Sequence, residues 1–250
     1  MIIEFAGLPG SGKSTVERLL TAALKEKGHL VHNRHEFRRG QTISHSVTGS
    51  PSNRLIRKSR TMFYWISLIA KTLYTHPEYV VGLMENRLHT IRATARVYDD
   101  HDIIQRYISP GNASDTLNIS EGLYHHLVAM NVWRSFYRQS VSVHIPRSIL
   151  TFLTSVQGLV LIKTQMNVEA AKQRLTSRGI PSAWPTRLDP SYVLDKFAYY
   201  DRLLSDSGLL DSYKVFAVDT SEDFLSLPTR VDALVTNLIE VSNQSGKFPL

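Results

Sequence analysis

Residues 5–15 read FAGLPGSGKST, and this short stretch decides the fold of the chain. The run from Gly7 to Ser14 matches the pattern G-x-x-x-x-G-K-[ST] at every fixed position. The apolar segment MIIEF precedes the loop, and residues 13–28, with apolar side chains at helical spacing, follow it. A strand, a glycine-rich loop and a helix in this order form a turn that wraps phosphate groups. The sequence therefore predicts a nucleotide-phosphate site at the first turn of the chain.

The residue types of this loop suit phosphate chemistry. Glycines let the backbone turn its N–H groups inward, and the helix N-terminus adds free N–H groups and the positive end of its dipole. Lys13 can reach the β- and γ-phosphates, and the Ser14 hydroxyl can ligate Mg²⁺, so ATP and Mg²⁺ are the predicted cofactors. The residues predicted to line the nucleotide are Leu8, Pro9, Gly10, Ser11, Gly12, Lys13, Ser14 and Thr15.

Strand-like and helix-like segments alternate along the whole chain. The predicted strands are 1–5, the segment starting at 29, 116–120, 158–164 and 213–219. Alternation of this kind predicts an α/β fold in three layers, a five-stranded parallel sheet with helices on both faces. We expect one domain over residues 1–250, with a helical cap at 40–111 that selects the acceptor and a lid loop at 179–190.

Composition narrows the class of protein. The chain has 250 residues and no cysteine, which excludes disulfides and thiolate metal sites and fits a reducing, cytoplasmic location. Its two longest apolar stretches, 61–74 and 149–162, are broken by polar residues and predict core rather than membrane spans. The formal net charge of +7 suits an anionic partner, such as a nucleotide or a phosphorylated metabolite.

Motifs absent from the chain also narrow the class. It has neither the N-K-x-D motif of GTPases nor an ABC-type signature. The arrangement resembles the nucleoside and nucleotide kinase group of P-loop proteins, which includes deoxynucleoside kinases and thymidylate kinase. The resemblance rests on GLPGSGKST, NRHEFRR (33–39), NISEG (118–122), NVEAAKQRLTSRG (167–179) with its Pro-rich loop, and KVFAVDTS (214–221).

Two carboxylates follow predicted strands at the edge where open α/β sheets bind ligands. Glu36 is placed to accept the proton of an attacking hydroxyl, and the resemblance implies the same role. His35 is a weaker candidate for that role. Glu121 is expected to hold Mg²⁺ directly or through water. The family often has an arginine after this acidic residue, whereas this chain has Gly122.

Three arginines are candidates for stabilising the transferred phosphoryl group. Arg174 and Arg178 are four residues apart on a predicted helix and face the same way, and the resemblance implies an arginine pair of this spacing that leads into a lid. Arg187 lies in the Pro-rich loop and is expected to join them as the lid closes.

Several weaker signals accompany these motifs. The basic run RLIRKSR (54–60) is interpreted either as a binding site for an anionic acceptor or as a solvated helix face. The same two interpretations apply to Arg87, Arg92 and Arg96. His125 and His126 are adjacent, so on a helix their side chains diverge. Asp99, Asp100 and Asp102 are interpreted as a helix-end cluster.

Three functions remain open from the sequence. The first is a small-molecule kinase with a nucleoside, nucleotide, sugar or antibiotic acceptor. The second is a regulatory ATPase without a small acceptor. The third is a polynucleotide end kinase, which the basic charge favours but for which no nucleic-acid module is present, so nucleic acid is the least favoured partner. A homodimer is compatible with the sequence, and no transmembrane segment is expected.

Overall fold

A central parallel sheet organises the molecule. The structure is a computed structural model that describes residues 1–34, 66–74, 88–108, 115–138, 142–156, 158–179, 184, 188–221 and 225–244. The strands are β1 (Ile2–Gly7), β2 (Val31–Asn33), β3 (Thr116–Ile119), β4 (Leu159–Gln165) and β5 (Tyr213–Asp219). Their order in the sheet is β2-β3-β1-β4-β5, and every neighbouring pair is parallel. The predicted α/β fold with five parallel strands is confirmed.

Helices connect these strands. They are α1 (Lys13–Glu26), α2 (Leu88–Ile108), α3 (Leu123–Arg138), α4 (Arg147–Ser155), α5 (Val168–Arg178), α6 (Pro190–Asp206) and α7 (Leu227–Gln244). Residues 66–74 are also helical, and a short 3₁₀ turn covers Leu209–Ser212. Asn167 caps α5 by accepting a hydrogen bond from the Ala170 N–H, which satisfies a donor that the first helical turn leaves free. No helix among these described residues is long and apolar enough to cross a bilayer.

The sheet is buried on both faces, as its near-continuous apolar strands require. On one face, Ile3, Phe5 and Ile162 pack with the apolar sides of α1 and α7. On the other, Ile2, Leu117 and Leu161 pack with buried residues of α2, α3, α4 and α6. Helix α2, which belongs to the segment predicted as a cap, is thus part of this second layer. The rest of the predicted cap, apart from 66–74, lies outside the described residues.

One prediction within this layer is wrong. Asp99 and Asp100 lie in the interior of α2 rather than at its end, because the helix runs on to Ile108. Both carboxylates are fully buried. They face the arginine that follows β2: Arg34 pairs with Asp99, and its Nη2 lies 2.8 Å from Asp100 Oδ1. His126 of α3 contacts Asp100 through Nδ1. A buried charge cluster of Arg34, Asp99, Asp100 and His126 therefore joins β2, α2 and α3.

Parallel strands in this order bring two loops together at one edge of the sheet. Strands β1 and β3 are neighbours, with Glu4 in register with Ile119. The loop after β1 and the turn after β3 both leave the sheet at its carboxyl edge, where open α/β sheets bind ligands.

Candidate functional site

The loop between β1 and α1 has the geometry that its sequence predicts. The Ser11 N–H donates to the Leu8 carbonyl at 3.0 Å, and the N–H groups of Thr15 and Val16 donate to the Gly12 carbonyl. Gly12 precedes α1 with φ of 86°, a left-handed conformation that side-chain-bearing residues rarely adopt. The loop therefore closes into the start of α1, which turns the free N–H groups of the first helical turn toward the site.

Lys13 folds back over this loop. Its Nζ donates to the carbonyl oxygens of Gly7 and Leu8, each at 3.1 Å. The residue is only 7% exposed, and burial lowers the pKa of its ammonium group, whereas nearby Glu121 acts in the opposite direction. An ammonium group held over the loop in this way is placed to meet phosphate oxygens.

The remaining loop side chains divide into anchored and open ones. Ser11 Oγ lies 2.6 Å from Thr164 Oγ1 of β4, and Leu8 packs against the core, so both side chains hold the loop to the sheet. Ser14 is exposed and Thr15 is half-buried. Ser14 is thus accessible to a ligand from solvent. Pro9 and Gly10 complete the turn.

Glu121 lies beside Lys13. Its Oε1 is 3.9 Å from Lys13 Nζ and 3.6 Å from Nε2 of His125, which is one helical turn further along. His125, and then Lys13, lower the pKa of Glu121 to about 2 against the opposing effect of burial. Burial lowers the pKa of His125 to about 3, and Arg96 is a second cation, besides Lys13, that acts to lower the pKa of Glu121. The turn after β3 thus brings the Glu121 carboxylate next to the lysine of the phosphate loop.

A second carboxylate, which the sequence analysis missed, lies nearby. Glu17 is half-buried on α1, one turn after Lys13, and its side chain accepts a hydrogen bond from Ser120. Burial raises its pKa, and the neighbouring charge of Glu121 adds to that effect. In the sequence, only its position in the first turns after the loop could have indicated that Glu17 lies near the site.

Oxygen ligands suit Mg²⁺, which usually keeps several waters and is held by one or two protein groups and the substrate phosphates. The exposed Ser14 hydroxyl and the ionised Glu121 carboxylate are donors of this kind, so the residues fit the ion. The described part of the chain contains no cluster of three His, Asp or Glu side chains that could hold a metal without a nucleotide.

The two arginines of α5 occupy different environments in the structure. Arg174 reaches the loop after β5, where its Nη2 donates to the Thr220 carbonyl at 2.8 Å. The same guanidinium approaches the phosphate loop, since a Cβ placed on Gly12 would lie 3.7 Å from its Nη1. Arg178 is exposed one turn later, and its charge, after burial, contributes to a lowered pKa of Arg174. Arg174 therefore lies at the phosphate loop, while Arg178 faces outward beside it.

Thr220 is a residue that the sequence analysis overlooked. Its Oγ1 donates to the Ser11 carbonyl at 2.7 Å, and its N–H donates to the Gln165 carbonyl at 2.9 Å. It thus ties the ends of β4 and β5 to the phosphate loop. The only signal was a threonine directly after an apolar strand.

Two predicted site residues cannot be placed. Glu36, the candidate base, and Arg187, the candidate lid arginine, lie outside the described residues, as do His35 and the basic run 54–60. The diverging directions predicted for His125 and His126 are confirmed, because His125 faces Glu121 and His126 faces Asp100.

Comparison with known proteins gives a likeness in fold. No protein-family model matches the chain, and no curated protein matches it. Among solved structures, deoxyadenosine kinase from M. mycoides with bound dCTP is 13% identical, with 96% of this chain and 100% of that chain covered and a TM-score of 0.49. The same kinase with bound dATP is 14% identical over the same shares, with a TM-score of 0.48. Identities this low assign neither substrate nor activity. The glycine-rich loop and the five-stranded parallel sheet give the chain a P-loop NTPase fold.

Proposed function

We propose that this chain is an ATP- and Mg²⁺-dependent phosphotransferase that acts on a small-molecule acceptor. The observation that carries the proposal is the approach of the Glu121 carboxylate to Lys13 Nζ, at 3.9 Å, above the phosphate loop. An ionised carboxylate next to the lysine of such a loop is what a Mg²⁺-nucleotide site requires.

Each residue then has a defined task. Lys13 and the loop N–H groups bind the phosphates, and Ser14 and Glu121 hold Mg²⁺, which when bound neutralises charge on the phosphate oxygens. Arg174 contributes positive charge from the α5 side, and Arg178 and Arg187 are proposed to join it when the nucleotide is bound. The acceptor oxygen bonds to the γ-phosphorus as the bond from that phosphorus to the leaving ADP oxygen breaks. Glu36 is proposed to take the proton that the acceptor oxygen loses in this step.

The acceptor is proposed to approach from the α2 side. Arg92 and Arg96 are exposed there, one turn apart. Arg96 lies near enough to Glu121 and His125 to contribute to the lowered pKa of each. This positive charge beside Glu121 favours an acceptor that bears a phosphate or several hydroxyl groups over a neutral apolar one.

The experiment that tests the proposal is a transfer assay with γ-labelled ATP. Nucleosides, nucleoside monophosphates, sugars, aminoglycosides and 5′-hydroxyl oligonucleotides serve as acceptors. We expect label to appear in one small-molecule class and to fall by at least about 100-fold in Lys13→Ala, because a preorganised charged donor is removed. Lys172→Ala changes a lysine outside the site and is expected to leave transfer unchanged.

The other outcomes identify the competing functions. ATP turnover that no acceptor stimulates would mean a regulatory ATPase. Transfer to oligonucleotides alone would mean a polynucleotide kinase, whose binding weakens steeply with salt. Transfer that survives Lys13→Ala at full rate would overturn the proposal.

A further inference from the structure

Glu4 is an ionisable residue in the middle of an otherwise apolar strand. It lies on β1 with zero exposure, and its side chain faces α3, whose Tyr124 N–H donates to it. Its register partner is Ile119, the last residue of β3. The chain therefore leaves β3 at the level of Glu4 and turns over its side chain through Ser120, Glu121 and Gly122 before α3 begins.

The turn rests directly on the Glu4 carboxyl group. The Tyr124 N–H, in the first turn of α3, donates to Glu4 Oε2 at 3.0 Å. The Tyr213 hydroxyl donates from β5 and lies 3.5 Å from both carboxyl oxygens. A helix N-terminus has N–H groups without helical partners, so Glu4 supplies from the sheet the acceptor that a capping side chain normally supplies from the helix itself.

Gly122 leaves the space that this carboxyl group occupies. A Cβ added to Gly122 would lie 2.6 Å from Glu4 Cγ, Cδ and Oε2. Such distances are far inside van der Waals contact, so any side chain at position 122 would displace either the Glu4 carboxyl or the turn. Because Gly122 directly follows Glu121, a displacement here moves the carboxylate that faces Lys13.

We propose that Glu4 and Gly122 act as a matched pair of positioning residues, which set the turn after β3 so that Glu121 meets Lys13 and the nucleotide-bound Mg²⁺. The inference rests on the proposed function. It also accounts for the glycine at the position where the kinases that this sequence resembles often have an arginine.

The chemistry of the carboxyl group fits this role. Burial is the main cause that raises the pKa of Glu4 to about 8, and Asp100 adds to it, whereas the Tyr124 N–H, the Tyr213 hydroxyl and Arg34 act in the opposite direction. The group is therefore neutral at pH 7, and a glutamine can reproduce both its shape and its acceptor oxygen. An apolar residue would leave the Tyr124 N–H buried without this acceptor.

The test measures how strongly Mg²⁺ tightens the binding of a fluorescent ATP analogue. The variants are Glu4→Gln, Glu4→Ala, Gly122→Ala and the double variant Glu4→Ala/Gly122→Ala, with Glu121→Gln as the reference for a lost metal ligand. We expect Gly122→Ala to reduce the Mg²⁺ effect about tenfold and Glu4→Gln to retain it. In the Glu4→Ala background, Gly122→Ala is expected to reduce the Mg²⁺ effect no further, because the carboxyl group with which the new Cβ would clash is gone.

A second measurement covers variants that fold poorly. The Tyr124 amide is expected to be protected from hydrogen exchange in the wild type and in Glu4→Gln, and to lose protection in Glu4→Ala while the strands remain protected. Three results would overturn the inference but not the proposed function. The first two are a Mg²⁺ effect in Gly122→Ala equal to that of the wild type, and losses that add in the double variant. The third is unchanged hydrogen-exchange protection of the Tyr124 amide in Glu4→Ala. A wild-type protein that binds no nucleotide would overturn the proposed function, and with it the inference.

Discussion

The two faces of the sheet differ in the way they are built. The α1/α7 face buries apolar side chains, and a part-buried polar contact there is neutral: Asn118 Nδ2 donates to Thr21 Oγ1. The α2/α3 face carries the described buried carboxyl groups and histidines, namely Glu4, Asp99, Asp100, His125 and His126. Burying charge costs free energy unless the groups are paired, and an apolar pair of similar volume often stabilises a protein as well or better. The first face thus serves as scaffold, and the second carries charge where the proposed acceptor site lies.

The largest loss of stability is expected from a substitution of Arg34, on the charged face. Arg34→Ala removes the guanidinium group that pairs with Asp99 and Asp100, and leaves both carboxylates buried without it. Uncompensated buried charge costs about 3–5 kcal/mol of the free energy of unfolding, measured by urea denaturation. Arg18→Ala, at an exposed position of α1, is the matched control and is expected to change stability by no more than about 0.5 kcal/mol. A loss below 1 kcal/mol at Arg34 would mean that the cluster is not a coupled unit.

The scaffold face is expected to respond to lost volume. Leu20 is fully buried between α1 and the sheet, so Leu20→Ala removes apolar contacts and leaves a cavity. We expect a loss of about 2–5 kcal/mol that is the same at pH 6 and pH 8, since no ionisable group is involved. A strong pH dependence of this loss would show that the two faces are not independent.

The contribution of Glu4 to stability can be measured by its pH dependence. Its pKa is about 8 in the folded protein and near 4.5 when unfolded, so the folded state binds the proton more tightly. Stability contributed by this group is full below pH 4.5 and falls as the pH rises toward 8. Between pH 6 and pH 8 the wild type is expected to lose about 2 kcal/mol more than Glu4→Gln, in urea titrations at both pH values. Parallel pH profiles of the two proteins would contradict this.

Buried Glu4 and the buried Arg34–Asp99 pair also show where sequence reasoning ends. The phosphate loop, the five strands and the approach of Glu121 to the loop follow from local motifs and from strand order. The burial of Glu4 does not, because its partner Tyr124 is 120 residues away and MIIEF reads as an ordinary apolar strand. Arg34 and Asp99 are 65 residues apart, and only the packing of α2 beside β2 reveals that they pair. The sequence likewise does not show that Asp99 and Asp100 lie inside α2, because their burial depends on the distant Arg34.

The smallest expected effect lies away from both faces. Asn167→Ala removes the cap of α5, with a loss of about 1 kcal/mol in the free energy of unfolding. Asn167→Asp keeps an acceptor oxygen and is expected to stay within a few tenths of a kcal/mol of the wild type. A larger loss in the alanine variant would mean that α5 supports one of the faces more than its contacts indicate.

The phosphate-donor site is tested most directly by a calorimetric titration of ATP into the protein with and without Mg²⁺. We expect binding that Mg²⁺ strengthens, and that Lys13→Ala weakens at least about tenfold, because hydrogen bonds from an ammonium group to phosphate are lost. Circular dichroism and urea midpoints of Lys13→Ala confirm that the variant is folded. Absence of ATP binding by the wild type, or equal affinity in the folded Lys13→Ala protein, would contradict the claim that this loop holds the phosphate donor.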